Sequence, residues 1–266
     1  MRVVAIAVLA AACGTWGGCR IASPDVPEWI EAHGRGQVIA LTADAEGAYA
    51  IGTNHRIYVY PGPFMQPWQE RFGQDANLIA AGGGTVAWLG GDGAVRVASA
   101  NLAPRELAGS RDWRVSALAV GPDSNVYVVS SARAWRVMSD TLGEAICDGE
   151  PAVGIAPAAT PAGPTVHVWR GDGTVVARGP DGRCLPVSVP FPVVSLAASG
   201  AQLAAVDRDG GVWRRRAGTW QRLPVPRVFR PDRFPYETVI RNVAMSETVL
   251  WGRSQDNLAF ILSDPT

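Results

Sequence analysis

Short runs of apolar residues recur in this chain at intervals of about forty residues. Equivalent points in the six runs are Ile39, Ile79, Ser116, Gly154, Ser195 and Arg241. The spacings between these points are 40, 37, 38, 41 and 46 residues. A unit of this length holds four short strands, and the chain beyond its first residues shows no helical periodicity. The period is therefore typical of the blades of a β-propeller.

Each repeat divides into strand-like segments separated by turns. Residues 125–129 (Asn-Val-Tyr-Val-Val) and 165–169 (Thr-Val-His-Val-Trp) are β-branched and aromatic, as strands are. The connection between the second and third segments contains Asp-Gly in three repeats, within residues 91–93, 171–173 and 208–211. We expect a tight hairpin at each, because Asp-Gly tolerates positive φ at both central turn positions.

The sixth repeat has only three strand segments before the chain ends. Residues 28–33 (Glu-Trp-Ile-Glu-Ala-His) look like the fourth segments of other repeats, such as Trp68–Arg71 and Trp220–Leu223. A propeller has to close its ring, because an open ring leaves strand edges exposed. The sequence thus predicts an all-β, six-bladed propeller of four-stranded blades, closed by one N-terminal and three C-terminal strands. We expect residues 20–266 to form this single domain.

The first nineteen residues have the features of an export signal, because Arg2 precedes an apolar run that is too short to span a bilayer. The order Leu-Ala-Ala-Ala-Cys resembles the processing site of bacterial lipoproteins. That resemblance implies a lipid on Cys13, with Cys19 as the second candidate. The alternative is an ordinary cleaved signal with an incidental cysteine. Either way we expect an exported protein at the cell envelope, anchored to the membrane if it is lipidated.

Two further cysteines, Cys147 and Cys184, lie in the body of the chain. A pair of cysteines in an exported protein is consistent with a disulfide. Two separate buried thiols are the alternative, because sequence does not give the distance between their Cα atoms.

The fifth repeat, residues 194–213, runs from an alanine-rich strand through Gly and an apolar strand to an Asp-Gly turn and Val-Trp. This order resembles the repeat of the regulator of chromosome condensation type. The resemblance implies a propeller fold. The nuclear function of that family does not apply to an exported protein.

The charge balance and the histidines exclude several kinds of site. The chain has 24 basic and 24 acidic residues, so it lacks the net positive charge typical of nucleic-acid binding. The histidines His33, His55 and His167 fall in different repeats without the spacing of metal ligands. No glycine-rich phosphate loop or nucleophile elbow is present. We expect no metal, no cofactor and no nucleic-acid partner.

Residues 207–216 contain the most conspicuous polar groups, which we interpret as structural. Asp209 has the same place in its turn as Asp92 and Asp172 have in theirs, so Asp207 and Asp209 are not expected to be an acid–base pair. The arginines at 214–216 lie along one strand, where neighbouring side chains point to opposite faces. They are therefore not expected to form one basic patch.

The longest insertion between strands is residues 224–238, between the fifth and sixth repeats. Long loops on a rigid scaffold often carry binding residues, and arginine and aromatic side chains are frequent at interfaces. The candidate binding residues of this loop are Arg227, Phe229, Arg230, Arg233, Phe234 and Tyr236. A proline-stiffened crossover that covers one end of the channel is the alternative.

These features favour a monomeric, non-catalytic propeller that binds a protein or glycan at the cell envelope. The alternative is an exported propeller enzyme, such as a glycan hydrolase or lyase, which requires converging carboxylates or histidines at the channel mouth. A purely structural repeat protein is a third interpretation. The fold alone does not choose between them.

Overall fold

The structure is a computed structural model that describes residues 28–32, 37–60, 68–72, 75–99, 102–149, 151–230, 233–246 and 249–263. The expected export signal, with Cys13 and Cys19, lies outside these residues, and so does His33. Among the residues described, one short 3-10 turn, Ser110–Asp112, is the only helical element. No helix in this part of the chain has the length and apolar character needed to cross a membrane.

Six antiparallel sheets of four strands form the blades of a propeller. The strands of blade 1 are β2 (Val38–Ala43), β3 (Ala48–Gly52), β4 (Ile57–Tyr60) and β5 (Gln69–Arg71). Those of blade 2 are β6 (Ala76–Gly82), β7 (Thr85–Gly90), β8 (Val95–Ser99) and β9 (Arg105–Glu106). Those of blade 3 are β10 (Val115–Val120), β11 (Val126–Ser130), β12 (Arg133–Met138) and β13 (Thr141–Ile146).

Blades 4 to 6 follow the same plan. The strands of blade 4 are β14 (Ala152–Thr160), β15 (Gly163–Arg170), β16 (Val175–Arg178) and β17 (Cys184–Val187). Those of blade 5 are β18 (Val193–Ser199), β19 (Gln202–Asp207), β20 (Val212–Arg216) and β21 (Thr219–Arg222). Those of blade 6 are β24 (Ile240–Met245), β25 (Leu250–Ser254), β26 (Ala259–Ser263) and β1 (Glu28–Glu31). The predicted all-β, six-bladed fold is confirmed.

The ring is closed by the N-terminal strand, as the sequence predicts. β1 pairs antiparallel with β26, with Glu28 opposite Ser263 and Glu31 opposite Phe260. The innermost strand of each blade lies beside that of the next, and β24 of blade 6 lies beside β2 of blade 1. Residues from the two ends of the chain therefore share one sheet.

Every innermost strand contains a bulge near its start, which marks the repeat more sharply than the apolar runs do. The bulged residues are Ile39, Asn77, Ser116, Val153, Val194 and Arg241. Three of the points chosen from sequence, Ile79, Gly154 and Ser195, lie one or two residues too late. In blade 2 the bulged residue, Asn77, is polar and exposed, so the apolar run begins one residue after it. In blades 4 and 5 the bulged residues, Val153 and Val194, are apolar although exposed, so the apolar run does not mark the bulge.

The connection between the second and third strands has one hydrogen-bond pattern in five of the six blades. In blade 5 the Asp207 N–H donates to the Gly211 carbonyl (3.0 Å) and the Gly210 N–H donates to the Asp207 carbonyl (3.1 Å). Gly210 has φ of 80°. In the Asp-Gly turns only the glycine is left-handed. Positive φ at both central residues occurs in blade 3, at Ser131 (49°) and Ala132 (60°).

The left-handed residue of these turns also links neighbouring blades. In four of the six blades, at His55, Ala132, Gly173 and Asn257, its carbonyl accepts a hydrogen bond from the first residue of the next innermost strand. The Ala76 N–H donates to the His55 carbonyl (2.8 Å), and across the ring closure the Val38 N–H donates to the Asn257 carbonyl (2.7 Å). Each such turn thus fixes the position of the blade that follows.

Apolar side chains fill all six interfaces between blades, with one buried cluster at each. At the closing interface, Trp251 of blade 6 packs against Tyr60 and Trp68 of blade 1, with ring centroids 5.4 Å and 6.3 Å away. Trp88 is fully buried between blades 1 and 2. These tryptophans are core residues, because aromatic side chains bury large areas.

A disulfide joins the outer edges of blades 3 and 4. Cys147 follows β13, Cys184 begins β17, and the two sulfurs are bonded with a Cα–Cα distance of 5.6 Å. Of the two arrangements left open by the sequence, the structure contains the bridge. It closes a chain segment with a sequence separation of 37 residues.

Removing this bridge is expected to lower stability. In the chain-entropy description, a loop of this length contributes about 3 to 4 kcal/mol, because the bridge restricts the unfolded chain. The double variant Cys147→Ser, Cys184→Ser is therefore expected to unfold at lower urea concentration than the oxidised protein. Reductant should lower the midpoint of the oxidised protein and leave that of the double variant unchanged. Equal midpoints for the two proteins without reductant would contradict this account.

Candidate functional site

The segment between blades 5 and 6 is a β-hairpin, not the loop that the sequence predicts. β22 (Arg227–Arg230) pairs antiparallel with β23 (Arg233–Glu237) in a separate two-stranded sheet. Two strand-like runs around residues 231–232 are a hairpin signal. The sequence does not predict this hairpin, because Pro235 lies in its second strand and proline is rare inside strands. Proline is tolerated in edge strands, and both strands of a two-stranded sheet are edge strands.

The root of the hairpin is built into the propeller. Val228 is fully buried in the cluster between blades 5 and 6, together with Ile240. The Thr238 N–H donates to the Pro226 carbonyl (3.0 Å), and the Thr238 hydroxyl donates to Asp256 Oδ2 (2.6 Å). Thr238 itself is fully buried. The hairpin is therefore held by the core and by the turn of blade 6.

Beyond this root, the hairpin carries exposed aromatic side chains. Phe234 is 94% exposed and Tyr236 is 37% exposed. Arg227 forms an ion pair across the hairpin, with Nη2 3.3 Å from Glu237 Oε1. The structure thus presents Arg227, Phe234 and Tyr236 of the candidate binding residues at the surface.

The other three candidates are placed by their backbone only. Phe229 and Arg230 lie in β22 and Arg233 lies in β23, and their side chains are outside the described part of the structure. The strand register sets Arg230 opposite Arg233.

The central channel contains a cavity of about 160 Å³. Its wall comes from the innermost strands of all six blades and from Trp169 of β15. The Trp169 ring lies across Gly154, where a Cβ atom would come within 1.9 Å of it. Among the described residues of this wall there is no carboxylate, no histidine and no member of the hairpin. The described residues therefore give no support to a crossover that covers the channel.

The carboxylate of Asp207 organises the turn of blade 5 and is not free for catalysis. Its Oδ1 accepts hydrogen bonds from the backbone N–H groups of Asp209 (3.0 Å) and Gly211 (2.7 Å). Its Oδ2 accepts the Trp213 indole N–H (2.7 Å). The structural interpretation of this pair holds, but the turn role falls to the buried Asp207, whereas the sequence assigned it to Asp209.

The arginines after this turn are divided, as expected from strand alternation. Arg214 is buried, and its Nη2 donates to Gln202 Oε1 (2.6 Å). Arg216 is exposed. They do not form one basic patch.

A four-residue ionic network in blade 2 was missed by the sequence analysis. The Arg96 guanidinium donates to both oxygens of Asp92 (2.9 and 2.6 Å), and Arg111 donates to both oxygens of Glu106 (3.0 and 2.9 Å). These hydrogen bonds lower the pKa of each carboxyl. The charges of the two arginines balance those of the two carboxylates. Because Arg111 lies in the 3-10 turn and pairs with Asp92, the network links that turn to blade 2.

Histidines and acidic residues do not converge on a metal site in the described residues. No group of three or more His, Cys, Asp or Glu side chains there could hold a metal ion. His167 is buried, with Nδ1 3.3 Å from the Ala156 carbonyl, and burial lowers the pKa of its imidazole.

Comparison with solved structures shows the propeller fold. The chain is similar to a catalytically inactive variant of virginiamycin B lyase from Staphylococcus aureus with quinupristin, at 9% identity and TM-score 0.57, covering 89% of this chain and 99% of that one. A protein of unknown function from Bacteroides thetaiotaomicron is similar at 12% identity and TM-score 0.60, covering 90% and 76%.

A third similar structure is PorZ of Porphyromonas gingivalis, described as an essential bacterial surface component of the type-IX secretion system. The identity is 10% and the TM-score 0.54, and the match covers 89% of this chain but only 38% of PorZ. No protein-family model and no curated protein matches the sequence. At these identities the likeness establishes the six-bladed propeller and no activity.

Replacing Asp207 is expected to destabilise the protein, whereas replacing Asp209 is not. Asp207→Ala removes the acceptor of three hydrogen bonds at a buried turn, which should cost about 2 to 3 kcal/mol of unfolding free energy. Asp209→Ala removes an exposed carboxylate and should change stability by less than about 0.5 kcal/mol. Urea unfolding of both variants measures the difference. Equal losses for the two would refute the role given to Asp207.

Proposed function

We propose that this protein is a non-catalytic, exported propeller that binds a partner at the cell envelope through the hairpin β22–β23. One observation carries the proposal: a hairpin that the blade repeat does not require is rooted in the core and displays Phe234 almost fully exposed. A lipid on Cys13, or on Cys19, would hold the propeller at the membrane surface.

Binding explains the exposed aromatic side chain better than stability does. Phe234 and Tyr236 are two residues apart on β23, so their side chains lie on the same face of the hairpin. Adjacent exposed apolar groups, unlike single ones, mark interaction sites. Tyr236 and Arg227 are residue types that dominate binding energy at interfaces. The buried Val228 and the Thr238–Asp256 hydrogen bond limit the motion of the hairpin root, which reduces the entropy lost on binding.

The arginines of the hairpin favour a partner with acidic groups. The hairpin sequence contains Arg227, Arg230 and Arg233, and their positive charges complement a carboxylate or another anion. A protein segment with acidic side chains fits this surface. An acidic glycan shares the charge but would use the aromatic rings differently, by stacking.

Export is supported by the N-terminal sequence and by the disulfide. Disulfides persist in oxidising compartments outside the cytosol. The similar structures include both a lyase and a secretion-system surface component, so the fold leaves the activity open. The proposal therefore rests on the hairpin and not on those proteins.

Site-specific photo-crosslinking in the source cells tests this proposal. A photoreactive phenylalanine analogue in place of Phe234 is expected to give one dominant adduct, because the ring would lie in the interface. Mass spectrometry of the adduct identifies the partner. The matched control is the same analogue at Leu185, which is 63% exposed on blade 4.

The comparison between the two positions decides the outcome. A discrete adduct at Phe234 that is lost when Arg227, Arg230 and Arg233 are replaced by glutamine supports an acidic partner at the hairpin. Adducts of equal yield at both positions, or none at Phe234 in cells that produce the protein, would contradict the proposal.

A further inference from the structure

The short outermost strand of blade 2 leaves a cleft open between blades 2 and 3. β9 has two residues, whereas the other outermost strands in the described part of the chain have three to six. The cleft has a volume of about 510 Å³ and is lined by residues of both blades. This volume is within the range of small-molecule sites.

The walls of the cleft are largely apolar. Val97 and Leu107 of blade 2 are buried at its base, and Val126 and Val137 of blade 3 are partly buried beside them. Leu102 also lines the cleft and is 71% exposed. A hydrocarbon group bound here would therefore remove apolar surface of both blades from water, which favours binding.

One ion pair joins the two blades at this cleft, and both of its members are accessible. Arg105 Nη1 donates to both carboxylate oxygens of Asp140, at 2.8 and 2.7 Å. The two side chains are 58% and 36% exposed, and both line the cleft, so a bound molecule can reach them. Exposed ion pairs contribute little to stability, so this pair can open at small cost.

Both partners of the pair have capacity for a ligand. Among the described residues, Nε and Nη2 of Arg105 have no acceptor, so the guanidinium can hold a second carboxylate. Asp140 lies in the tight turn between β12 and β13, where Ser139 and Asp140 have φ of 49° and 63°. This turn fixes the backbone that carries the Asp140 carboxylate at the edge of the cleft.

The opposite charges of the pair determine the kind of ligand. A molecule with only a carboxylate is attracted by Arg105 but repelled by Asp140, and the reverse holds for a molecule with only an ammonium group. A zwitterion avoids both repulsions, because its carboxylate accepts from Arg105 while its ammonium group donates to Asp140. We propose that this cleft binds a free α-amino acid with an apolar side chain, which packs against Leu102, Val126 and Val137.

Titration of the full oxidised chain with leucine, followed by the backbone amide signals, tests this site. Saturable shifts are expected around the cleft, at Ser99, Leu102, Asn125 and Ser139, and not in the hairpin. Isocaproate has the same hydrocarbon chain without the ammonium group, isoamylamine lacks the carboxylate, and free glycine lacks the hydrocarbon chain. Each should bind roughly tenfold more weakly than leucine or not at all.

Two variants and one control make the result specific. Arg105→Gln and Asp140→Asn each remove one charge and should weaken leucine binding roughly tenfold. Asparagine tolerates the positive φ of position 140, so the turn is kept. Arg56→Gln is the matched control, because Arg56 forms an exposed ion pair with Glu70 in blade 1 (2.6 Å), and its leucine affinity should be unchanged.

Asp140→Asn also gives a result that a merely structural role of the ion pair would not produce. The anion isocaproate should bind this variant more tightly than it binds the wild type, because its repulsion from Asp140 is gone.

The proposal is overturned if leucine causes no saturable shift in the wild-type cleft, or if isocaproate or isoamylamine binds as well as leucine does. It is also overturned if Arg105→Gln and Arg56→Gln behave alike. Should Asp140→Asn fail to fold, Arg105→Gln and the comparison of the four ligands still decide the question. None of these results depends on the hairpin, so this site and the proposed function can fail separately.

Discussion

The antiparallel pairing of β1 with β26 is the interaction on which the ring depends. Each blade buries its faces against two neighbours, and blades 1 and 6 each lack one neighbour until the ring is closed. The closing sheet takes one strand from residues 28–31 and three from the C-terminal end. The Val38–Asn257 hydrogen bond and the packing of Tyr60 against Trp251 add to the same closure. Strand pairing within blade 6, and the hydrogen bond and aromatic packing between blades 6 and 1, therefore all contribute to the closure of the ring.

The sequence predicts the architecture well, because the features that define it are local and repeated. Apolar runs, Asp-Gly turns and the strand-like residues 28–31 give six blades and their closure. The exact equivalent position in each repeat is harder to predict, because the bulged residue is not part of the buried apolar pattern, as at Asn77. The sequence predicts a loop where the structure has the hairpin β22–β23, because Pro235 interrupts the strand pattern.

The details of the candidate sites depend on contacts that no local pattern reveals. Asp207 and Asp209 are two residues apart, yet only Asp207 is turned inward to accept the Trp213 indole N–H. Arg105 and Asp140 lie in different repeats, and only the packing of blades 2 and 3 brings their charges together. The network of Arg96, Asp92 and Arg111 likewise joins a strand, a turn and a 3-10 turn that meet only in the fold.

The hairpin β22–β23 is an addition to the blade repeat at one end of the channel. Its root is held by the buried Val228 and by the Thr238–Asp256 hydrogen bond. Function is thus expected at positions where one blade departs from the other five.

Hydrogen exchange of the β26 amides tests the closure most directly. A chain that begins at residue 20 is compared with one that begins at residue 33 and lacks β1. If β1 closes the ring, its removal exposes the edge of β26, accelerates exchange along Ala259–Ser263 and lowers the stability of the whole propeller. Unchanged protection of β26 in the shorter chain, with an unchanged unfolding midpoint, would contradict the account.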